Sequence, residues 1–141
     1  LCLAQTLPRR GQRLYRLVDW TGIPDTLANK VAAAEENIYN DPADPLVNWD
    51  AADLEEALRA AGFAAVELQV QTQVEQRRIT ADHLARWFGE GQDNGRPRYG
   101  ERLRAAGLTA KQVEKVAALY RRQLLENVIN WESCLVYVCG E

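Results

Sequence analysis

The chain has 141 residues, of which 47% are hydrophobic and 26% charged, and its formal net charge is −3. That composition excludes a disordered chain, a collagen and a coiled coil, and its length suits one domain, residues 1–141. No apolar run approaches the roughly 20 residues that cross a bilayer, which excludes a helical transmembrane protein.

Leu1-Cys2-Leu3-Ala4 is a continuous apolar run, the pattern of a strand buried on both faces. A basic segment follows from Pro8 to Arg16, with a helical turn or short helix expected around Gln12 to Trp20. Pro24 suits the first position of a helix, and Ile23, Leu27, Val31, Ala34 and Ile38 recur at helical spacing to give it one apolar face. This helix should stop near Tyr39, because Pro42 and Pro45 push their predecessors out of the helical region.

Asp50 is an N-cap for the next helix, whose face carries Leu54, Ala57, Leu58 and Ala61 and whose stop is Gly62. Val66, Leu68 and Val70 then alternate with Glu67, Gln69 and Gln71, the pattern of an edge strand with one wet face. Thr80 should cap a short helix through Trp87 and Phe88. Gly89 to Gly95 reads as a mobile glycine-rich loop, and a helix from about Tyr99 should end at Gly107. Thr109 and Gln112 have capping-box spacing, and Val113, Val116, Ala117, Tyr120 and Leu124 form the face of the helix behind them. Trp131 to Cys139 is the last strand. Both of its faces are apolar, so it should lie inside the sheet, antiparallel to strands on either side. Ile23, Leu27, Val31, Leu54, Leu58, Phe63, Val66, Leu68, Val113, Val116, Leu135 and Val136 are the expected core.

The cysteines are Cys2, Cys134 and Cys139. An odd count without metal-ligand spacing predicts reduced buried thiols, as in the cytoplasm. His83 is the sole histidine, which leaves no His-based metal cluster, and it reads as an exposed helix residue. Charge is divided along the chain: residues 19–56 hold ten acids and one base, while residues 77–122 hold eleven bases and five acids. Such runs are usually solvated faces; a basic one can also meet phosphate.

The passage Asp53-Leu54-Glu55-Glu56-Ala57-Leu58-Arg59-Ala60-Ala61-Gly62-Phe63-Ala64-Ala65-Val66 resembles the helix, Ala-Gly-Phe and strand that precede the sixth strand of class I S-adenosylmethionine-dependent methyltransferases. Trp131 to Cys139 resembles their antiparallel seventh strand, and Leu1 to Thr6 their fifth. More narrowly, Leu3 to Arg9, Arg13-Leu14-Tyr15, Ala34 to Tyr39, Asp44 to Asp50 and Arg86-Trp87-Phe88 resemble the methyltransferase-like region fused to some bacterial AAA ATPases of the replication-associated recombination factor family.

The resemblance implies an α/β fold: a partial Rossmann-like sheet of three strands in the family's order 5-7-6, the last central and antiparallel, with flanking helices. The absence of methionine and the start at Leu1 fit a C-terminal fragment of a larger protein. The family's Gly-x-Gly-x-Gly loop and the acidic residue that holds the ribose are not in these residues, nor is an ATPase motif. No catalytic, cofactor-binding or metal residue is therefore assigned. S-adenosylmethionine or ATP is expected only in the parent.

Asn48, Trp49, Arg9, Arg10, Arg13, Arg96 and Arg98 are the candidate contacts for a substrate or partner. For Trp49 and Asp50 the plain alternative is packing and helix capping. Glu35 and Glu36 are adjacent on a helix and so make a poor acid–base pair. The leading expectation is a non-catalytic methyltransferase-like module for interaction or positioning, cytoplasmic and associated with recombination. The alternatives are the substrate-side half of an active methyltransferase and a nucleic-acid-binding accessory domain using residues 77–122. The expected partners are the parent's missing N-terminal part and a second copy paired through the first strand; nucleic acid is a further candidate.

Overall fold

A computed structural model describes all residues, Leu1–Glu141. In chain order the elements are β1 (Cys2–Thr6), 3-10 turns at Pro8–Arg10 and Leu14–Leu17, α1 (Asp25–Asn40), α2 (Ala51–Ala60), β2 (Val66–Arg78), α3 (Ala81–Phe88), β3 (Gln92–Asp93), β4 (Arg96–Pro97), α4 (Tyr99–Ala105), α5 (Ala110–Leu124) and β5 (Val128–Gly140). The chain is α/β, with a three-stranded sheet in the order β1-β5-β2. It divides into two compact units. The first comprises Leu1–Gln12, Ile38–Glu75 and Trp131–Glu141; the second comprises Arg13–Asn37 and Gln76–Asn130.

In the first unit, β1 pairs antiparallel with β5, from Cys2 opposite Cys139 to Thr6 opposite Leu135. At the other side of β5, Glu141 donates to the Ala65 carbonyl at 3.0 Å and receives the Ala64 N–H at 2.8 Å, so β2 also runs antiparallel to it. Antiparallel pairing throughout differs from the parallel core of a Rossmann sheet.

Side chains alternate across the sheet. Leu7 from the end of β1 and Cys134 and Val136 from β5 are buried with Ala51 of α2, and Trp49, Leu54 and Leu68 pack against them. On the opposite face Ala4, Thr6, Tyr137 and Cys139 are exposed and Leu135 is half-buried. The apolar pattern on both sides of β5 therefore corresponds to one covered face, not two. β1 is likewise an exposed edge strand with Leu3 half-buried, not a strand buried on both faces.

Asp50 caps α2 by the expected chemistry: its carboxylate accepts from Ala51 N–H at 2.7 Å, while Asp53 reaches back to Asp50 N–H at 2.7 Å. Gly62 ends the helical segment at φ 99°, a conformation that a side chain disfavours. Phe63 then lies against Gly140, where a Cβ would stand 3.0 Å from the ring, so Gly140 gives the ring its seat on β5.

The second unit is helical. Leu27, Val31 and Ala34 of α1 are buried, as are Leu84 of α3, Tyr99 and Leu103 of α4, and Val113, Val116, Leu119, Tyr120 and Leu124 of α5. An aromatic cluster fills this core. The Phe88 ring meets Tyr99 and Tyr120 edge-on at 5.5 and 5.3 Å between centroids, and Trp20 meets Tyr120 edge-on at 6.2 Å. Thr109 and Gln112 form the expected capping box at the start of α5.

Three further expectations change. Gly89 to Gly95 includes half of a small hairpin, β3–β4, which turns through Asn94 and Gly95 at φ 51° and 75°. Asn-Gly is a strong hairpin signal, because both residues tolerate positive φ. Ile23, Leu54, Leu58, Phe63, Val66, Leu68 and Leu135 are half-buried rather than core. Ile23 precedes α1 in the second unit; for the others, all in the first unit, apolar spacing marks a face, but a three-stranded sheet with one helix lacks the material to bury it.

Cys2 and Cys139 form a disulfide, and only Cys134 is a free buried thiol. The expectation of reduced thiols rests on the odd count, which leaves room for a single pair. The pairing that matters is across strands: the β1–β5 register sets Cys2 opposite Cys139, with Cα atoms 4.2 Å apart. No helix is long and apolar enough to cross a membrane.

Candidate functional site

The first unit brings Arg9, Arg10, Asn48 and Trp49 together at the N-terminal end of α2. The tight turn after Leu7 aims the two arginines at this end. Arg9 donates to the Asn48 side-chain oxygen through Nε, at 3.1 Å, and through its terminal nitrogen, and reaches Asp53 at 3.3 Å. Arg10 Nε donates to Asp50 at 3.0 Å. Asp50 and Asp53 thus serve two roles, capping the helix and holding a guanidinium. The Trp49 indole donates to the Leu46 carbonyl at 3.2 Å, which fixes the loop ahead of the helix.

Beside this cluster lies a groove of about 340 Å³ lined by Leu3 and Gln5 of β1 with Trp49, Asp53, Leu54 and Ala57. Leu3, Gln5, Asp53 and Ala57 did not stand out in the sequence as site residues. The groove exists because β1 and α2 approach from distant parts of the chain, and only their strand and helix periodicities were legible.

The remaining candidate contacts lie in the second unit and do not join this cluster. Arg13 is 6% exposed, and its Nε is bound to Glu36 at 3.0 Å. A guanidinium committed in this way offers no open contact. Arg98 donates to the carbonyls of Ala85 and Arg86 at 3.2 and 3.0 Å, so it covers the last turn of α3, where unpaired carbonyls collect. Arg96 sits in β4. His83 is half-buried and forms the capping box of α3: its Nδ1 accepts from Thr80 N–H at 3.1 Å.

The second unit also holds a buried carboxylate that sequence alone did not reveal. Glu35 is 2% exposed. It accepts from Leu14 N–H at 2.6 Å, Tyr15 N–H at 3.2 Å and the Tyr99 hydroxyl at 2.6 Å, and Tyr99 lies 3.1 Å from the Tyr120 hydroxyl. Burial raises the Glu35 carboxyl above its usual range, opposed by the hydrogen bonds from Tyr99, Tyr15 and Leu14 and by Arg13. Burial likewise lifts Tyr99 and Tyr120 well above the ordinary phenol value, so both keep their protons. These groups lie among core side chains and tie the 3-10 turn at Leu14–Leu17 to α1. The arrangement anchors backbone; it does not present an acid or base to a substrate.

No group of three or more His, Cys, Asp or Glu side chains is placed to hold a metal ion. Compared with known proteins, the chain matches no family model, no curated protein and no solved structure.

Proposed function

We propose that the chain is a non-catalytic module for interaction or positioning, methyltransferase-like and part of a larger protein. The sequence resemblance to the region fused to replication-associated AAA ATPases makes such an ATPase the proposed parent, with cytoplasmic work in recombination.

One observation carries the interaction reading. At the α2 end the charged side chains are spent on each other, Arg9 on Asn48 and Asp53 and Arg10 on Asp50. What they frame is an apolar groove beside an exposed edge strand. That geometry suits docking, because it offers area and main-chain groups but no poised nucleophile or base.

Calorimetry with S-adenosylmethionine tests the non-catalytic half. No binding is expected; micromolar binding would transfer the chain to the alternative, the substrate-side half of an active methyltransferase. The cytoplasmic address is tested by trapping thiols in intact cells. Reduced Cys2 and Cys139 agree with a reducing compartment, whereas a persistent disulfide places the chain in an oxidising one.

The charge of the second unit supports a second reading, a nucleic-acid-binding accessory domain. The unit holds fourteen Lys and Arg against ten Asp and Glu. Binding through phosphates would weaken steeply with salt. A salt-insensitive association, or none at low salt, removes that reading.

A further inference from the structure

We propose that the open edge of β1, with the groove beneath α2, binds an extended peptide segment that alternates apolar and basic residues. The proposal rests on the interaction reading above and names its partner.

The main chain supplies the first argument. Leu1 and Gly140 exchange both backbone hydrogen bonds at 2.8 Å, and Leu7 N–H donates to the Cys134 carbonyl at 2.8 Å. In an antiparallel pair such positions alternate with positions whose groups point outward. Cys2, Ala4 and Thr6 therefore turn their N–H and C=O groups to the free edge, and all three are exposed. Natural edges are blunted by charge, proline or a bulge. Cys2-Leu3-Ala4-Gln5-Thr6 holds no charged residue or proline, and its register with β5 is unbroken.

The groove supplies the second argument. Leu3 and Gln5 line it together with Trp49, Leu54 and Ala57, so it opens at the very edge where another strand would lie. A segment paired to β1 places alternate side chains on that same face of the sheet. Apolar side chains there fill the groove.

Charge selects the occupant. The first unit contains ten Asp and Glu against three Arg. An alternating segment turns its remaining side chains to the opposite face of the sheet, where the exposed Glu67 and Glu141 line a pocket with Cys2 and Cys139. A second copy paired edge to edge would confront these carboxylates with their duplicates; a basic segment meets them favourably.

The test uses the full chain and a fluorescein-labelled peptide of alternating lysine and valine, about eight residues long. Fluorescence anisotropy should show saturable binding, weaker by about tenfold or more for the glutamate–valine counterpart and for a lysine–valine peptide N-methylated along one edge. Ala4→Pro removes one outward N–H at an edge position that tolerates proline, and should weaken binding by about tenfold. Ala57→Arg, on an exposed helix position, should fill the groove and do the same while far-ultraviolet circular dichroism stays unchanged. Equal affinity for both charge types, no saturable binding, or full affinity in both variants would overturn the proposal. Sedimentation showing a dimer that Ala4→Pro dissociates would overturn it in favour of a second copy. S-adenosylmethionine calorimetry is read separately, so loss of the interaction reading and loss of the peptide site are distinct results.

Discussion

The two units solve the problem of unpaired backbone in opposite ways. In the second unit, helices satisfy most of their own main chain, and the remaining ends are closed locally: Arg98 on the last carbonyls of α3, Thr109 on the first amide groups of α5. Its side chains can then gather around Phe88, Tyr99 and Tyr120. In the first unit a sheet must borrow partners from other strands, and a three-stranded sheet has two edges. One face and the β1 edge stay exposed, and a disulfide ties the edge strand to its neighbour. Charge follows the same division, with a net −7 in the first unit and +4 in the second by side-chain count. A helical core closes itself, whereas a small sheet leaves surface that a partner can use.

The largest effect should come from cutting the tie in the first unit. The Cys2–Cys139 bond joins residues 137 apart in sequence, and the chain-entropy account gives such a link about 5 kcal/mol. Cys2→Ser should lower stability toward urea by about that amount; an unchanged midpoint would show that β1 contributes little to folding.

Truncations within each core sharpen the contrast next. Leu103 is fully buried in the second unit, and Leu103→Ala should cost about 3 kcal/mol. Leu54 of the first unit is half-buried, and Leu54→Ala should cost about 1 kcal/mol. Equal losses in urea titrations would mean that the thin core carries as much as the thick one.

Glu35 gives the second unit a pH signature. Its folded-state carboxyl is raised, so the folded chain holds that proton more tightly than the unfolded chain. The stability this adds is fully present below the usual carboxylate value and is lost as pH rises through the raised value. Glu35→Gln should flatten that part of the stability curve, because the amide does not titrate. Parallel curves for the two proteins from acid to neutral pH would refute the assignment.

The smallest expected change tests the caps. Thr109→Ala and Asp50→Ala each remove an N-cap side chain and should each cost about 1 kcal/mol. A larger loss for Asp50→Ala is expected if Arg10 depends on that carboxylate, and a double variant with Arg10→Ala measures the coupling.

Much of the local structure was legible in the chain because its causes are local. Pro24, Asp50, Thr80 and Thr109 mark helix starts through backbone geometry and capping, and the apolar spacing of α1 and α5 marks the faces that Leu27, Val31, Val113 and Val116 bury. The acid-rich and base-rich stretches were also visible. Asn48, Trp49, Arg9 and Arg10 were singled out individually, but nothing in their spacing linked residues 9 and 48.

Only the tertiary structure decided the rest. Whether an apolar residue is buried depends on what packs over it, so Leu54, Leu135 and Phe63 end half-exposed despite their pattern. Cys2 meets Cys139 only through strand register. Glu35 and Glu36 look alike in sequence; one helical step turns Glu35 toward Tyr99 in the core, where burial raises its carboxyl, and Glu36 toward Arg13. Sequence by itself set periodicity, caps and charge, because these act over a few bonds. Burial, cross-strand pairing and the groove required the fold, because each is made by residues that the chain keeps far apart.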